Sequence, residues 1–316
     1  MFLRSVLCMA GLSLLVLQGC AQTGASRTLH DAPAPVGGTA KLLAVYEPWF
    51  GHPQHIDVGY SSQDPITLKK QIIEAKQRGI SGFVVDWYGD REPFIDKSYA
   101  LLQSMAGDQN FSIAMMYDEG EKESDEATDD AMVAFEEFRE KYLAPGARGR
   151  EAYLTYQGRP VIFIFPKAGH TDWSRVRVET NKWGAPPLLI YEYRSTPFAA
   201  AFDGFYAWIN PGKKGWAADG SNWGEDYLRD FYQTMRSKYP DKIAVGAAWS
   251  GFDDKKASWS LGRYMSRRCG QTWNDTTNLS HEYNSQPFLL IATWNDYEEG
   301  TAIEKGIGQC GAASGK

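Results

Sequence analysis

A single (β/α)8 barrel is the fold class that this 316-residue sequence predicts. Three observations point to it. Eight short apolar runs recur after residue 40, mostly without polar alternation, as strands buried on both faces of a parallel sheet require. Helical patterns with start and stop signals stand between several of those runs. Strand–helix repeats spread over about 260 residues suit such a barrel in count and in length. A doubly wound open sheet is the rival architecture, but no glycine-rich phosphate loop follows the first strand.

Taken in order, the predicted strands are Leu42–Tyr46, Gly82–Trp87, Phe111–Tyr117, Pro160–Phe165, Leu188–Tyr193, Gly204–Ile209, Ile243–Trp249 and Phe288–Trp294. After the first, Asp64 offers a capping oxygen, Pro65 suits the first helical position, and Gly79 suits the turn beyond the last. Asp125 to Tyr142 reads as a helix opened by acids, which the positive end of the helix dipole favours. Asn222 with Glu225 three residues on reads as a capping box, and Pro240 stops the helix it opens. The interval Arg194–Asp203 is short for a full helix, whereas Ser250–Gln286 has room for an extra helix or a lid.

Ahead of the barrel, Arg4 precedes an apolar run, Val6 to Leu17, too short to span a bilayer and suited to a signal peptide. Leu17-Gln18-Gly19-Cys20 resembles a bacterial lipoprotein signal, with cleavage before Cys20 and lipidation of its thiol. An ordinary secretory signal with an incidental cysteine is the alternative. The expected organisation is a signal over residues 1–20, a flexible tether over 21–40 and the barrel over 41–316. It places the protein at the bacterial envelope, lipid-anchored at the outer membrane or the periplasmic face. Cys8 leaves with the signal, so Cys269 and Cys310 remain, as a disulfide or as two free thiols.

Composition narrows the partners. A net charge of −6 without a basic cluster argues against nucleic acid. The five histidines show no metal-ligand spacing and there is no Cys-x-x-Cys, so neither a metal nor a cofactor is signalled. Aromatic residues make up 14% of the chain, with 11 Trp and 17 Tyr. Such side chains pair an apolar face with a polar tip, which suits amphipathic ligands, sugars above all.

A barrel carries its active site at the C-terminal ends of its strands. Those ends here hold Tyr46, Glu47 and Trp49, then Asp86, Trp87 and Tyr88, then Tyr117. Later strands add Glu192 and Tyr193, Trp208 and Asn210, Trp249, and finally Trp294, Asn295 and Tyr297. Acids and aromatics thus recur at one rim, the pattern of a carbohydrate cleft, and these residues are the candidate substrate contacts. Asp118 and Glu119 open an acidic stretch and read as a solvated helix entry, while Glu304 reads as structural. Gly306-Ile307-Gly308-Gln309-Cys310-Gly311 has nucleotide-loop spacing but no helix to follow.

The last strand carries the chemistry. Asp296 and Glu299, three apart across a tight corner, could share one small volume, the arrangement that acid/base work on a glycosidic bond needs. From Trp294 to Glu304 the chain resembles the last-strand motif of glycoside hydrolase families 71 and 99, endo-acting α-1,3-glucanases and endo-α-mannosidases. In that motif Asn is followed by an acid, an aromatic, a variable residue and Glu-Gly, here Asn295 to Gly300. The resemblance implies Glu299 as general acid and Asp296 as its partner. Asp296 would activate water in an inverting route, or deprotonate the substrate's 2-hydroxyl in a retaining one. The leading expectation is therefore an endo-acting hydrolase of an α-linked polysaccharide, α-mannan or α-glucan. A catalytically silent, glycan-binding barrel of a polysaccharide export or surface system is the alternative.

Overall fold

Eight parallel strands close into a barrel in the computed structural model of the chain, which describes residues 40–120, 122, 124–167, 169–283 and 287–307. The strands are β1 (Lys41–Tyr46), β2 (Ile80–Trp87), β3 (Ser112–Asp118), β4 (Arg159–Phe165), β5 (Leu188–Glu192), β6 (Gly204–Tyr206), β7 (Ile243–Trp249) and β8 (Phe288–Ala292). Each pairs in parallel with the next, and β8 pairs with β1, which closes the ring. Among the described residues six α-helices surround it: α1 (Pro65–Gln77), α2 (Pro93–Gly107), α3 (Ser124–Phe138), α4 (Trp173–Thr180), α5 (Glu225–Lys238) and α6 (Gln271–Glu282). Between β5 and β6 only a 3-10 turn, Ala199–Ala201, fills the short interval.

The local signals are realised unevenly. Asp64 caps α1 by accepting the Ile66 and Thr67 N–H groups, and Gly79 takes the left-handed conformation (φ 79°) beyond it. The acidic helix runs as α3 and then widens into a π-helical turn, Arg139–Leu143. The capping box at Asn222 does not form. Gly224 is the N-cap of α5, and the Asn222 amide is spent on its own loop, accepting from the Gly224 N–H and donating to the Pro211 and Gly215 carbonyls. Strand β6 stops three residues before the expected Ile209, because the Trp208 N–H leaves the ladder for the Tyr227 hydroxyl. Strand β8 stops at Ala292, where the chain folds back and the Ile303 N–H reaches the Thr293 and Trp294 carbonyls.

The two-residue strand period then sorts every strand into an inward and an outward set. Leu43 and Val45, Val84, Ala114 and Met116, Val161 and Phe163, Leu188 and Ile190, Ile243 and Val245, Phe288 and Leu290 fill the barrel. The alternate residues pack against the helices. Two residues further along the inward set, at the C-terminal rim, come Glu47, Asp86, Asp118, Phe165, Glu192 and Trp208.

The long interval after β7 holds a short antiparallel hairpin, Phe252–Asp253 with Tyr264–Met265, ahead of α6. The signal, most of the tether and Cys20 lie outside the described residues, as does Cys310. Cys269 itself is disulfide-bonded. No described helix is long and apolar enough to cross a membrane.

Candidate active site

Above the inward layer lies a cavity of about 710 Å³. Its lining includes Glu47 at the end of β1, Asp86 of β2, Asp118 of β3 and, beyond β8, Asp296 and Glu299. Trp49, Tyr88, Phe165 and Trp208 supply aromatic walls, and the hairpin loop adds Trp259, Leu261 and Arg263. A groove of about 780 Å³ between α3 and α4 lies on the helical shell, away from these acids.

The corner that brings Asp296 and Glu299 together is built from hydrogen bonds inside the motif. The Asp296 N–H donates to Thr293 Oγ1 at 2.8 Å, and Asp296 Oδ1 accepts the Glu298 and Glu299 N–H groups at 2.9 Å each. The Asp296 carbonyl accepts the Thr301 and Ala302 N–H groups after the chain reverses at Gly300 (φ 65°). A side chain at 300 would also meet the Asp253 carbonyl oxygen, 3.1 Å from an added Cβ. Glu299 Oε1 accepts from Trp259 Nε1 at 2.9 Å and lies 3.5 Å from Arg263 Nη2.

Electrostatically the site is dominated by burial. It pushes the Asp296 carboxyl well above the usual range, helped by the Glu299 charge. Burial also raises Glu299, although the Trp259 hydrogen bond and Arg263 pull the other way. Glu47 and Asp118 are pushed well up by burial and then by Asp86, with Lys167 opposing at Asp118. Burial lifts Asp86 to about 6. Glu47 Oε2 and Asp86 Oδ1 are buried and accept no hydrogen bond from the protein.

No family model and no curated protein matches the sequence. Solved structures do match its fold. The endo-alpha-mannosidase of glycoside hydrolase family 99 from Bacteroides thetaiotaomicron, in complex with BIS-TRIS-propane, superposes with a TM-score of 0.65 at 18% identity, covering 84% of this chain and 87% of that one. A second structure of that enzyme gives 0.64 at 17% identity, covering 84% and 88%. A glycoside hydrolase-like protein gives 0.58 at 13% identity, covering 84% and 86%. The barrel shares its fold with these proteins.

Within the barrel the candidate contacts separate into groups. Glu47, Trp49, Asp86, Tyr88 and Trp208 line the cavity together with Asp296 and Glu299. Tyr46, Trp87 and Tyr117 sit one residue out of phase and are buried between sheet and helices, where Tyr46 bonds Gln71, Trp87 bonds Asp96, and Tyr117 packs edge-on to Phe135. Tyr193 shares that outward phase and donates to Asp230 of α5. Trp249 and Trp294 are also fully buried in the outer layer; the first donates to the Trp223 carbonyl and the second lies under Arg78. These six positions are packing positions, away from the cavity.

Asn295 is buried and clasps the end of β1, accepting the Glu47 N–H at 2.8 Å and donating to the Glu47 carbonyl at 2.9 Å. It presents Glu47 without reaching the cavity itself. Tyr297 donates to Glu304, which also accepts from Tyr60 and Gln71 and so ties the last loop to the first. Asn210 is exposed and closes its own turn by accepting the Gly212 N–H. Glu192 takes the inward phase without lining the cavity, and burial lifts its carboxyl to about 7.

Several cavity residues escaped sequence reasoning. Asp118 is no solvated helix entry: it is 3% exposed, with Lys167 Nζ 3.0 Å away. Its neighbour Glu119 is buried too, accepting the Gly169 and Thr171 N–H groups. Both Asp118 and Lys167 follow the inward phase of their strands, a usable signal. Trp259, Leu261 and Arg263 arrive through the hairpin loop beyond β7, away from the ends of the barrel strands. Glu298 accepts from the Ile56 N–H and contacts His55, whose ring stacks on Trp49 with centroids 4.7 Å apart.

Proposed function

We propose that the protein is a glycoside hydrolase that works at the barrel mouth, endo-acting on an α-linked polysaccharide of mannan or glucan type. The observation that carries this reading is the Asp296–Glu299 corner: a buried and a half-buried carboxyl, three residues apart, line one aromatic cavity. Burial keeps Glu299 protonated to higher pH than an exposed glutamate, as a general acid needs in order to hand its proton to the leaving glycosidic oxygen. Two backbone N–H groups fix one oxygen of Asp296 and so orient the other. Burial lifts Asp296 as well, so it acts as base, toward water or toward the substrate's own 2-hydroxyl, in the protonation state of the coupled pair in which Asp296 has ionised and Glu299 keeps the proton.

Endo action is supported by the space beside the cavity. A second depression of about 570 Å³ shares Trp49, His55, Tyr88 and Trp259 with it and continues toward Phe94, so the aromatic floor extends past one sugar unit. The competing reading, a silent glycan-binding barrel, draws on the contacts of Glu299 with Trp259 and Arg263. Both fall on Oε1, and Arg263 is bound more closely by Asp254, at 2.7 Å from its Nε. The net push on the Glu299 carboxyl is upward, the sign expected of an acid and not of a neutralised ion-pair partner.

Replacing Glu299 by Gln is expected to lower turnover of the susceptible polysaccharide by about 10²–10⁴-fold while glycan binding persists. Turnover equal to the parent protein's, across a panel of α- and β-linked polysaccharides profiled by product mass, would overturn the assignment. The proposal includes an envelope location through acylation of Cys20, supported by the signal-like residues before it. Radiolabelled palmitate should enter the parent chain and not the Cys20→Ser variant; equal labelling of both would remove the anchor.

A further inference from the structure

The cavity holds more carboxyl groups than cations. Glu47, Asp86, Asp118, Asp296 and Glu299 line it, against Lys167 and Arg263. Both cations are engaged, Lys167 with Asp118 at 3.0 Å and Arg263 with Asp254 at 2.7 Å. Glu47 and Asp86 are only 4% and 6% exposed; they interact with each other, and Asp86 with Tyr88, but each keeps a buried oxygen that accepts no hydrogen bond from the protein. Buried carboxylates in that condition are costly unless a proton or a cation joins them.

The chemistry of the missing cation follows from the shape of the site. A metal ion is disfavoured, since no group of three possible ligands among the described residues is spaced to hold one. An ammonium needs no such convergence, because its three N–H donors spread over separated acceptors. Aromatic faces favour it as well. The cavity already holds one ammonium in this manner: Lys167 Nζ lies 4.9 Å from the Tyr88 ring centroid while bound to Asp118. Acidic sugars would be repelled, and neutral sugars bring hydroxyl donors but no charge.

We propose that the sugar seated over Glu47 and Asp86 is a cationic amino sugar, an unacetylated hexosamine within the polysaccharide chain. The proposal deepens the hydrolase reading by naming its substrate class. Trp49 and Trp208 take the apolar faces of the ring, and Glu47 and Asp86 take the ammonium. N-acetylation removes the charge and adds bulk at the same position, so the acetylated sugar loses both partners.

The test compares one oligosaccharide with itself. Oligomers of poly-galactosamine and poly-glucosamine are titrated calorimetrically into the full chain in detergent near pH 6, before and after chemical re-N-acetylation, with neutral hexose oligomers alongside. The amine form is expected to bind about tenfold or more tightly than the acetylated form, with the margin narrowing in high salt. Asp86→Asn and Glu47→Gln should each erase most of that margin. Equal affinity of the amine and acetylated forms in the parent protein, which requires no variant to fold, would overturn the proposal. So would a margin that survives both substitutions. Cleavage assays on the same oligomers separate the two readings. Cutting of neutral α-glycans without amine preference removes the amino sugar and keeps the hydrolase, while amine-selective binding without any cutting does the reverse.

Discussion

Glu299 stands between opposed influences: burial raises its carboxyl, while the Trp259 N–H and the Arg263 charge lower it. Trp259→Phe keeps an aromatic face and deletes the donor, so the acid should hold its proton to higher pH. The alkaline limb of the kcat/KM profile, which reports the free enzyme's acid, is expected to move upward in that variant. A limb that stays put or moves down would mean that the titrating acid is another group. The corner residues were legible because all their determinants lie within a dozen positions, from the Asn-acid-aromatic order to the reversal at Gly300. Residue type without phase misled elsewhere. Tyr46, Trp87 and Tyr117 have the chemistry of sugar platforms, yet each is one residue out of step with the inward set and faces the helices. Asp118 was hidden by the acids that follow it, although counting on from Ala114 and Met116 turns it inward. Trp259 had no local signal at all, since its place depends on how a distant loop folds.

That loop is an element in its own right. Asp254, fully buried, gathers the segment from Ser260 to Arg263 by accepting the Ser260 hydroxyl, the Leu261 and Arg263 N–H groups and the Arg263 guanidinium. The clasp is what sets Trp259 and Arg263 against Glu299. Asp254→Ala removes the acceptor and leaves the Arg263 charge without its closest partner, a loss of about 2–3 kcal/mol by the cost of broken charged hydrogen bonds. Thermal unfolding should show that loss, and steady-state kinetics should show a raised KM as the aromatic wall loosens. An unchanged KM would make the loop a bystander to binding. Outside the cavity lining, Asp64→Ala tests a cap without touching the site; it is expected to cost about 1 kcal/mol with activity unchanged. The strands themselves were legible from their apolar runs, and α1 from its cap. The failures came where tertiary bonds outbid local ones: Asn222 serves its loop instead of α5, and β6 ends where the Tyr227 hydroxyl takes the Trp208 N–H.

For the whole molecule, the acids at the barrel mouth link stability to pH. Burial raises Asp86 to about 6 and Glu192 to about 7, from ordinary carboxylate values near 4. Between those limits the folded protein keeps protons that the unfolded chain has released. Folding is therefore favoured at the lower pH, and the advantage fades as pH rises through 6 and 7. Glu47, Asp118 and Asp296 are displaced in the same direction by burial and add to the trend. Asp64 and Asp219, lowered by hydrogen bonds to their own turns, act oppositely and set the loss at strongly acid pH. The thermal midpoint is thus expected to peak in mildly acid solution and to decline toward pH 8. Asp86→Asn cannot ionise, so its stability relative to the parent should grow as pH rises from 4 to 8, by about 3 kcal/mol if the displacement is a little over two pH units. Calorimetric scans of both proteins across that range decide the matter. A difference independent of pH would mean that Asp86 ionises as readily inside the folded barrel as in the unfolded chain. A cationic ligand supplies the charge that neutralises these carboxylates, so its stabilising effect should grow as they ionise above about pH 4 and fall again where the ligand's own amine loses its proton.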